Sequence, residues 1–104
     1  MAKAILMELL PCDELATAAE CLKIMAHPVR LRMVEILMQG EFPVHEIAEM
    51  CQLPPAQACE HLRRLQGHGL LASERRGKAV YYKIAHPTLP RLIGCIRAAC
   101  QEGE

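Results

Sequence analysis

Residues 43–83 read PVHEIAEMCQLPPAQACEHLRRLQGHGLLASERRGKAVYYK, and the spacing of their apolar positions changes partway along. Val44, Ile47 and Ala48 recur at helical spacing behind Pro43, a residue that suits the first turn of a helix. Gln52-Leu53 interrupts that pattern. Pro54-Pro55 then opens a second helix with Ala58, Leu62 and Leu65 on one face, closing at Gly67 or Gly69. From Leu70 onward the period becomes that of extended chain. Leu70–Arg75 and Lys78–Ile84 read as strands joined through Arg76-Gly77, with Val80, Tyr81 and Tyr82 favouring β structure and Gly77 permitting the turn. Two short helices, 43–51 and 54–67, followed at once by a two-stranded hairpin with a basic tip, form the arrangement that duplex reading requires. One helix crosses the backbone, the second enters the major groove, and flanking cations neutralise phosphates.

Outward from this stretch the chain is helical on both sides. Asp13 is placed to cap a helix through about Ala26, with Leu15, Ala19, Leu22 and Ala26 on one face. Pro28 opens another, carrying Leu31, Val34 and Leu37 before Gly40. Pro87 starts a last helix with Leu89, Leu92, Ile93 and Ile96, running to near Cys100. Residues 4–10 form a short apolar arm or helix stopped by Pro11. The expectation is one domain over 1–104, residues 1–12 being an N-terminal arm. Its order is ααααββα: mainly α, with a small β-hairpin wing, in a winged helix-turn-helix.

Composition agrees with that class. The chain has 104 residues, of which 52% are hydrophobic but only 3% aromatic, which favours packed helices over a β-sandwich and excludes disorder. Formal net charge is zero, yet it is segregated: residues 1–60 hold four Lys/Arg against nine Asp/Glu, while residues 61–83 hold six against Glu74 alone. An acidic body with one basic stretch is a local footprint for a polyanion. No apolar run reaches the length of a membrane span, and the first ten residues, interrupted by Glu8, make a poor signal peptide. A cytoplasmic location with mostly reduced thiols is expected. An enzyme is not: there is no glycine-rich phosphate loop, nucleophile elbow, paired carboxylates or Cys-x-x-Cys.

Helical geometry leaves Ala56, Gln57, Glu60, Arg63 and Arg64 on the outward faces of the 54–67 helix. Gln57 can pair with adenine in bidentate fashion, and Arg63 or Arg64 can reach guanine or phosphate. Glu60 repels phosphate but can accept from cytosine N4.

The strings 26–37 (AHPVRLRMVEIL), 44–48 (VHEIA), 61–71 (HLRRLQGHGLL) and 75–84 (RRGKAVYYKI) resemble the ArsR/SmtB family of winged-helix repressors, in the family's order, from about Leu15 to Cys100. The resemblance implies a homodimer joined through its first and last helices, bound to a double-stranded DNA operator until an inducer releases it. It places Arg75, Arg76 and Lys78 on the wing, and Gln57, His61 and Arg64 on or beside the recognition helix. The DNA-binding candidates are therefore Gln57, Glu60, His61, Arg63, Arg64, Arg75, Arg76 and Lys78. The chain departs from its relatives where their recognition helix opens with Ser and Gln: Pro54-Pro55 stand there, and Cys59 replaces a usual Ser.

Three sensing patterns of the family are missing. Val44-His45 occupy the place of a Cys-x-Cys metal pattern, and the last helix lacks the His, Asp and Glu set that binds zinc. Glu35 stands where persulfide-responsive relatives have a cysteine, although its late partner is matched by Cys100. The six cysteines are then weighed on their own terms. Thiolates select soft ions, and thiols of low pKa respond to oxidants or persulfide. Cys100 continues the Leu89–Ile93–Ile96 stripe, whereas Cys21 and Cys95 lie off their helices' stripes. Cys12, Cys21, Cys95 and Cys100 are the thiol or metal candidates, with Cys21, Cys95 and Cys12 able to meet at a dimer seam. A small buried hydrophobe is the alternative for each. His27 and His86, each preceding a proline, are expected caps.

The resulting expectation is a homodimeric DNA-binding transcriptional repressor released by a thiophilic metal or metalloid ion or a thiol-reactive inducer. The cofactor would be a thiolate-bound ion or none. The alternatives are a winged-helix protein-interaction module and a DNA binder with no inducer.

Overall fold

A computed structural model describes residues 8–102. Most of the expected N-terminal arm lies outside the described residues; Glu8 to Pro11 have no regular structure. The elements are α1 (Cys12–Met25), α2 (Pro28–Leu37), β1 (Phe42–Pro43), α3 (Val44–Cys51), α4 (Pro55–Gly67), β2 (Leu71–Arg76), β3 (Ala79–Ile84) and α5 (Leu89–Glu102).

Local chemistry explains the boundaries. His27 precedes α2, and its Nδ1 accepts from the Val29 N–H at 3.1 Å, as a cap should. Asp13 is inside the first turn of α1 rather than its cap, where its charge still meets the positive end of the helix. His86 Nδ1 accepts from the Thr88 N–H at 3.3 Å, so α5 begins after this turn, at Leu89 instead of Pro87. Gln52 closes α3 in the left-handed region at φ 57°. Its amide, and that of Leu53, return to the carbonyls of Glu49 and Ala48 at 3.1 and 2.9 Å.

The hairpin runs Leu71↔Ile84 to Arg76↔Ala79, and Gly77 at φ 64° makes the turn. A third strand was not expected. Phe42 and Pro43 pair with Tyr82 and Tyr81, giving a sheet of order β1-β3-β2. Two residues beside a proline carry too little periodicity to be read as a strand.

The core gathers Met33, Val34 and Leu37 of α2, Ile47 and Ala48 of α3, Ala58, Leu62 and Leu65 of α4, Leu70, Leu71 and Tyr82 of the wing base, and Leu89 and Ile93 of α5. Each fully buried leucine or isoleucine stabilises by about 1.5–3 kcal/mol relative to exposure. This packing fixes α4 against α3 and the sheet.

The outer helices differ from expectation. On α1 only Met25 is buried, with Cys21 and Ile24 half-buried against the core. Leu15 and Leu22 are 51% and 56% exposed. The apolar stripe read from the sequence is real, but it faces away from the protomer's own core. On α5 the buried stripe ends with Ile93 and half-buried Ile96; Cys100, expected to continue it, is exposed.

Candidate nucleic-acid interface

α3 and α4 meet across the Gln52-Leu53 turn, and α4 turns Ala58, Leu62 and Leu65 inward. That orientation leaves Gln57, Glu60, Arg63 and Arg64 exposed on the opposite side, together with Pro54, Pro55 and Ala56. The far end of α4 is tied to the wing by Gln66 Nε2, which donates to Ser73 Oγ at 2.9 Å. Helix and wing are held as one surface.

Strand alternation divides the wing cations. Ser73, Arg75, Val80 and Tyr82 share the sheet face turned toward α4, as the Ser73 bond and buried Tyr82 require. Glu74, Arg76 and Tyr81 share the other. Arg76 is held there by Glu41 and, at 3.3 Å, by Glu74. Its guanidinium lies 4.5 Å from the Tyr81 ring centroid, and both carboxylates raise its pKa further. Arg75 and Lys78 are exposed and make no ion pair among the described residues. The basic tip is therefore two different things: a cation fixed against the protein's own acidic groups, and two that are available.

Between the start of α4 and the wing lies a cleft of ≈ 420 Å³ lined by Val44, His45, Pro55, Ala56, Cys59, Lys78, Ala79 and Val80. Lys78 lines it beside the positive end of α4, so one cation and the helix dipole favour an anion there. In the sequence His45 stands out only for occupying, with Val44, the place of a Cys-x-Cys metal pattern; its position beside this cleft depends on how α3 meets the wing. Tyr82 lies behind the cleft, its phenol pushed up by burial with Cys59 and Arg63 as neighbours. His61 stands apart from the other candidates. It is half-buried, its Nδ1 takes an N–H from Arg30 at 3.2 Å, and its ring packs against His27.

The candidate thiols do not converge within one protomer. Cys21 is half-buried, whereas Cys12, Cys95 and Cys100 are exposed. Among the described residues no group of three His, Cys, Asp or Glu side chains could hold a metal ion. Cys21 opens into a cleft of ≈ 500 Å³ between α1 and α5, bordered by Glu14, Thr17, Met25, His86 and Leu89. No helix among the described residues is long and apolar enough to cross a membrane.

Comparisons with known proteins agree with this geometry. A helix-turn-helix domain model matches residues 25–74. The HTH-type transcriptional repressor SmtB of Mycobacterium tuberculosis is 31% identical over 94 residues, 90% of this chain and 68% of that one. The transcriptional repressor PagR of Bacillus anthracis is 36% identical over 76 residues, 72% and 76% of the two chains. Among solved structures, the homodimeric winged helix-turn-helix DNA-binding domain of a possible ArsR-family regulator from Mycobacterium bovis superposes with a TM-score of 0.79 at 29% identity, covering 88% and 85%. With the winged helix-turn-helix built from its own residues and these relatives matching most of its length, the chain belongs to the ArsR/SmtB family of winged-helix transcriptional repressors.

Proposed function

We propose that this chain works as a homodimer gripping a double-stranded DNA operator, each protomer supplying one α4 and one wing from a single domain spanning 1–104. The observation that carries the reading is the exposure of Gln57, Glu60, Arg63 and Arg64 on α4 beside a wing whose Arg75 and Lys78 make no ion pair among the described residues. Gln57 and Glu60 offer base-edge partners, and the cations position the backbone. The bare leucines of α1 support pairing through the first and last helices, which spaces two reading heads for half-sites about one duplex turn apart.

Release is assigned to the thiols on those same helices. Cys12, Cys21, Cys95 and Cys100 all lie on α1 or α5, so a soft ion or thiol-reactive molecule bound there acts on the seam that sets the angle between the heads. A coupling of ~1–3 kcal/mol between the two sites changes operator affinity from several-fold to over a hundredfold.

A promoter gel shift tests both parts. Binding should weaken steeply with salt, with a slope of about one per phosphate contact. At least one of arsenite, zinc, cuprous ion and a persulfide donor should release the complex, and less so from Cys95→Ser. Salt-insensitive binding without promoter preference would favour a protein-interaction module. Release by none of the four would leave a DNA binder without an inducer.

A further inference from the structure

Arg30 and His61 are 31 positions apart, yet Arg30 Nε donates to His61 Nδ1 at 3.2 Å. The same guanidinium donates through Nη1 to the Ile24 carbonyl, in the last turn of α1, at 3.1 Å. One α2 side chain thus spans from α1 to the recognition helix α4. Among the described residues it makes the only side-chain hydrogen bond between α4 and either of the first two helices.

The bond fixes the state of the ring. A nitrogen that accepts an N–H has its lone pair free, so neutral His61 carries its proton on Nε2. His27, accepting at Nδ1 from Val29, is held in the same tautomer, with ring centroids 4.7 Å apart and planes tilted by 58°. Four charged or titratable groups face His61. His27 and Arg30 at the start of α2, and Arg64 on α4, oppose a cation there; Glu60 favours one. Burial is the largest influence, and together these groups hold the imidazole below its ordinary 6.5.

We propose that Arg30 is a positioning residue, tying the recognition helix to α1 through neutral His61, and that protonation of His61 releases the tie and lowers operator affinity. The proposal rests on the DNA-binding reading above. A proton on Nδ1 would point at the Arg30 N–H, so donor meets donor and cation meets cation, and the bond cannot persist. α4 then keeps its apolar packing but loses its polar link to the helix assigned to the dimer seam.

The test has one arm without DNA and one with it. In the first, ¹⁵N NMR of the imidazoles should show His61 as the Nε2–H tautomer near neutral pH, and Arg30→Met should raise its titration midpoint. In the second, promoter affinity is measured between about pH 7.5 and 5.5, the range in which histidine titrates. Wild type should lose about tenfold, the scale of one hydrogen bond to a charged group. His61→Gln, whose amide oxygen can still accept from Arg30 but does not titrate, should change less than about threefold across that range. His27 packs against His61, so its titration does not cancel between the two proteins; His27→Gln is measured beside them and should keep most of the wild-type loss. Parallel profiles for wild type and His61→Gln, a flat His27→Gln profile, or tighter wild-type binding in acid would overturn the proposal, as would a His61 midpoint indifferent to Arg30→Met. A wild-type chain that binds the promoter at no pH defeats the operator reading instead, while the NMR arm still decides whether Arg30 holds His61.

Discussion

Arg76 stacks on Tyr81, its guanidinium carbon 4.5 Å from the ring centroid, while Glu41 and Glu74 hold its nitrogens. Register explains the group: Glu74 faces Tyr81 across the ladder, Arg76 lies two residues on, and the two-residue strand β1 brings Glu41 alongside. A cation with two carboxylates and an aromatic face already has partners that a phosphate would have to displace. Arg75, one residue earlier and on the opposite face, has none of these.

The wing should therefore divide unequally. Arg75→Ala and Lys78→Ala should each weaken promoter binding and lower the salt slope by about one. Arg76→Ala should leave the slope nearly unchanged, and its effect should appear in the order of the β1–β3 edge. Gel shifts at several salt concentrations give the three slopes directly. Equal losses for Arg75→Ala and Arg76→Ala would show that Arg76 leaves Glu41 and Glu74 when DNA binds.

The core makes a second prediction. Leu62 is fully buried in the core that joins α4 to α2, α3 and the wing base. Leu62→Ala should cost about 2–5 kcal/mol, transfer plus residual cavity. Denaturant unfolding should show a lower midpoint with an unchanged slope. A loss under about 1 kcal/mol would mean that α4 is not anchored through this residue.

Stability should fall at both ends of the pH scale, for different reasons. His61 is held below its ordinary 6.5, so the unfolded chain binds more protons there, and stability present above 6.5 declines as pH falls toward the folded value. Burial raises the Cys51 thiol above 9.0, against a smaller opposing pull from Arg32, and raises the Tyr82 phenol above 10.0. For these acids the folded state holds the extra protons, so stability declines as pH rises past the unfolded values. Thermal unfolding across the range checks the shape. His61→Gln should flatten the acid limb and leave the alkaline limb unchanged.

Much of the fold was legible because each helix after the first announces itself with a proline and buries a stripe that repeats at 3.6 residues. Ala58, Leu62 and Leu65 are the clearest case: their inward turn leaves Gln57, Arg63 and Arg64 outward. Periodicity reports that a face is apolar, not what covers it. For that reason α1 misled, its Leu15 and Leu22 being apolar and yet bare within one protomer. Cys100 misled for the same reason at the far end of α5. The Arg30–His61 bond and the Glu41–Arg76 pair join residues 31 and 35 positions apart. No local pattern carries such a pairing; only the packing of α2 on α4 and of β1 beside β3 creates it.

The bare stripe on α1 gives the last prediction. Leu15 and Leu22 are more than half exposed, as are Leu9 and Leu10 just before the helix, so replacing them should cost the isolated protomer little, within about 0.5 kcal/mol for ordinary surface sites. In a pair joined through α1 and α5 the same leucines are covered, each contributing about 1–2 kcal/mol of association when the exposed part of its surface is buried. Leu15→Glu with Leu22→Glu should then separate two properties that an ordinary core substitution would lose together. Far-ultraviolet circular dichroism should retain its helical signal, while sedimentation equilibrium shows a protomer in place of a dimer. Promoter affinity should collapse as well, because two linked reading heads bind far more tightly than either alone. A double variant that still sediments as a dimer would move the seam away from α1. With it would go the argument that thiols on α1 and α5 control the angle between the heads.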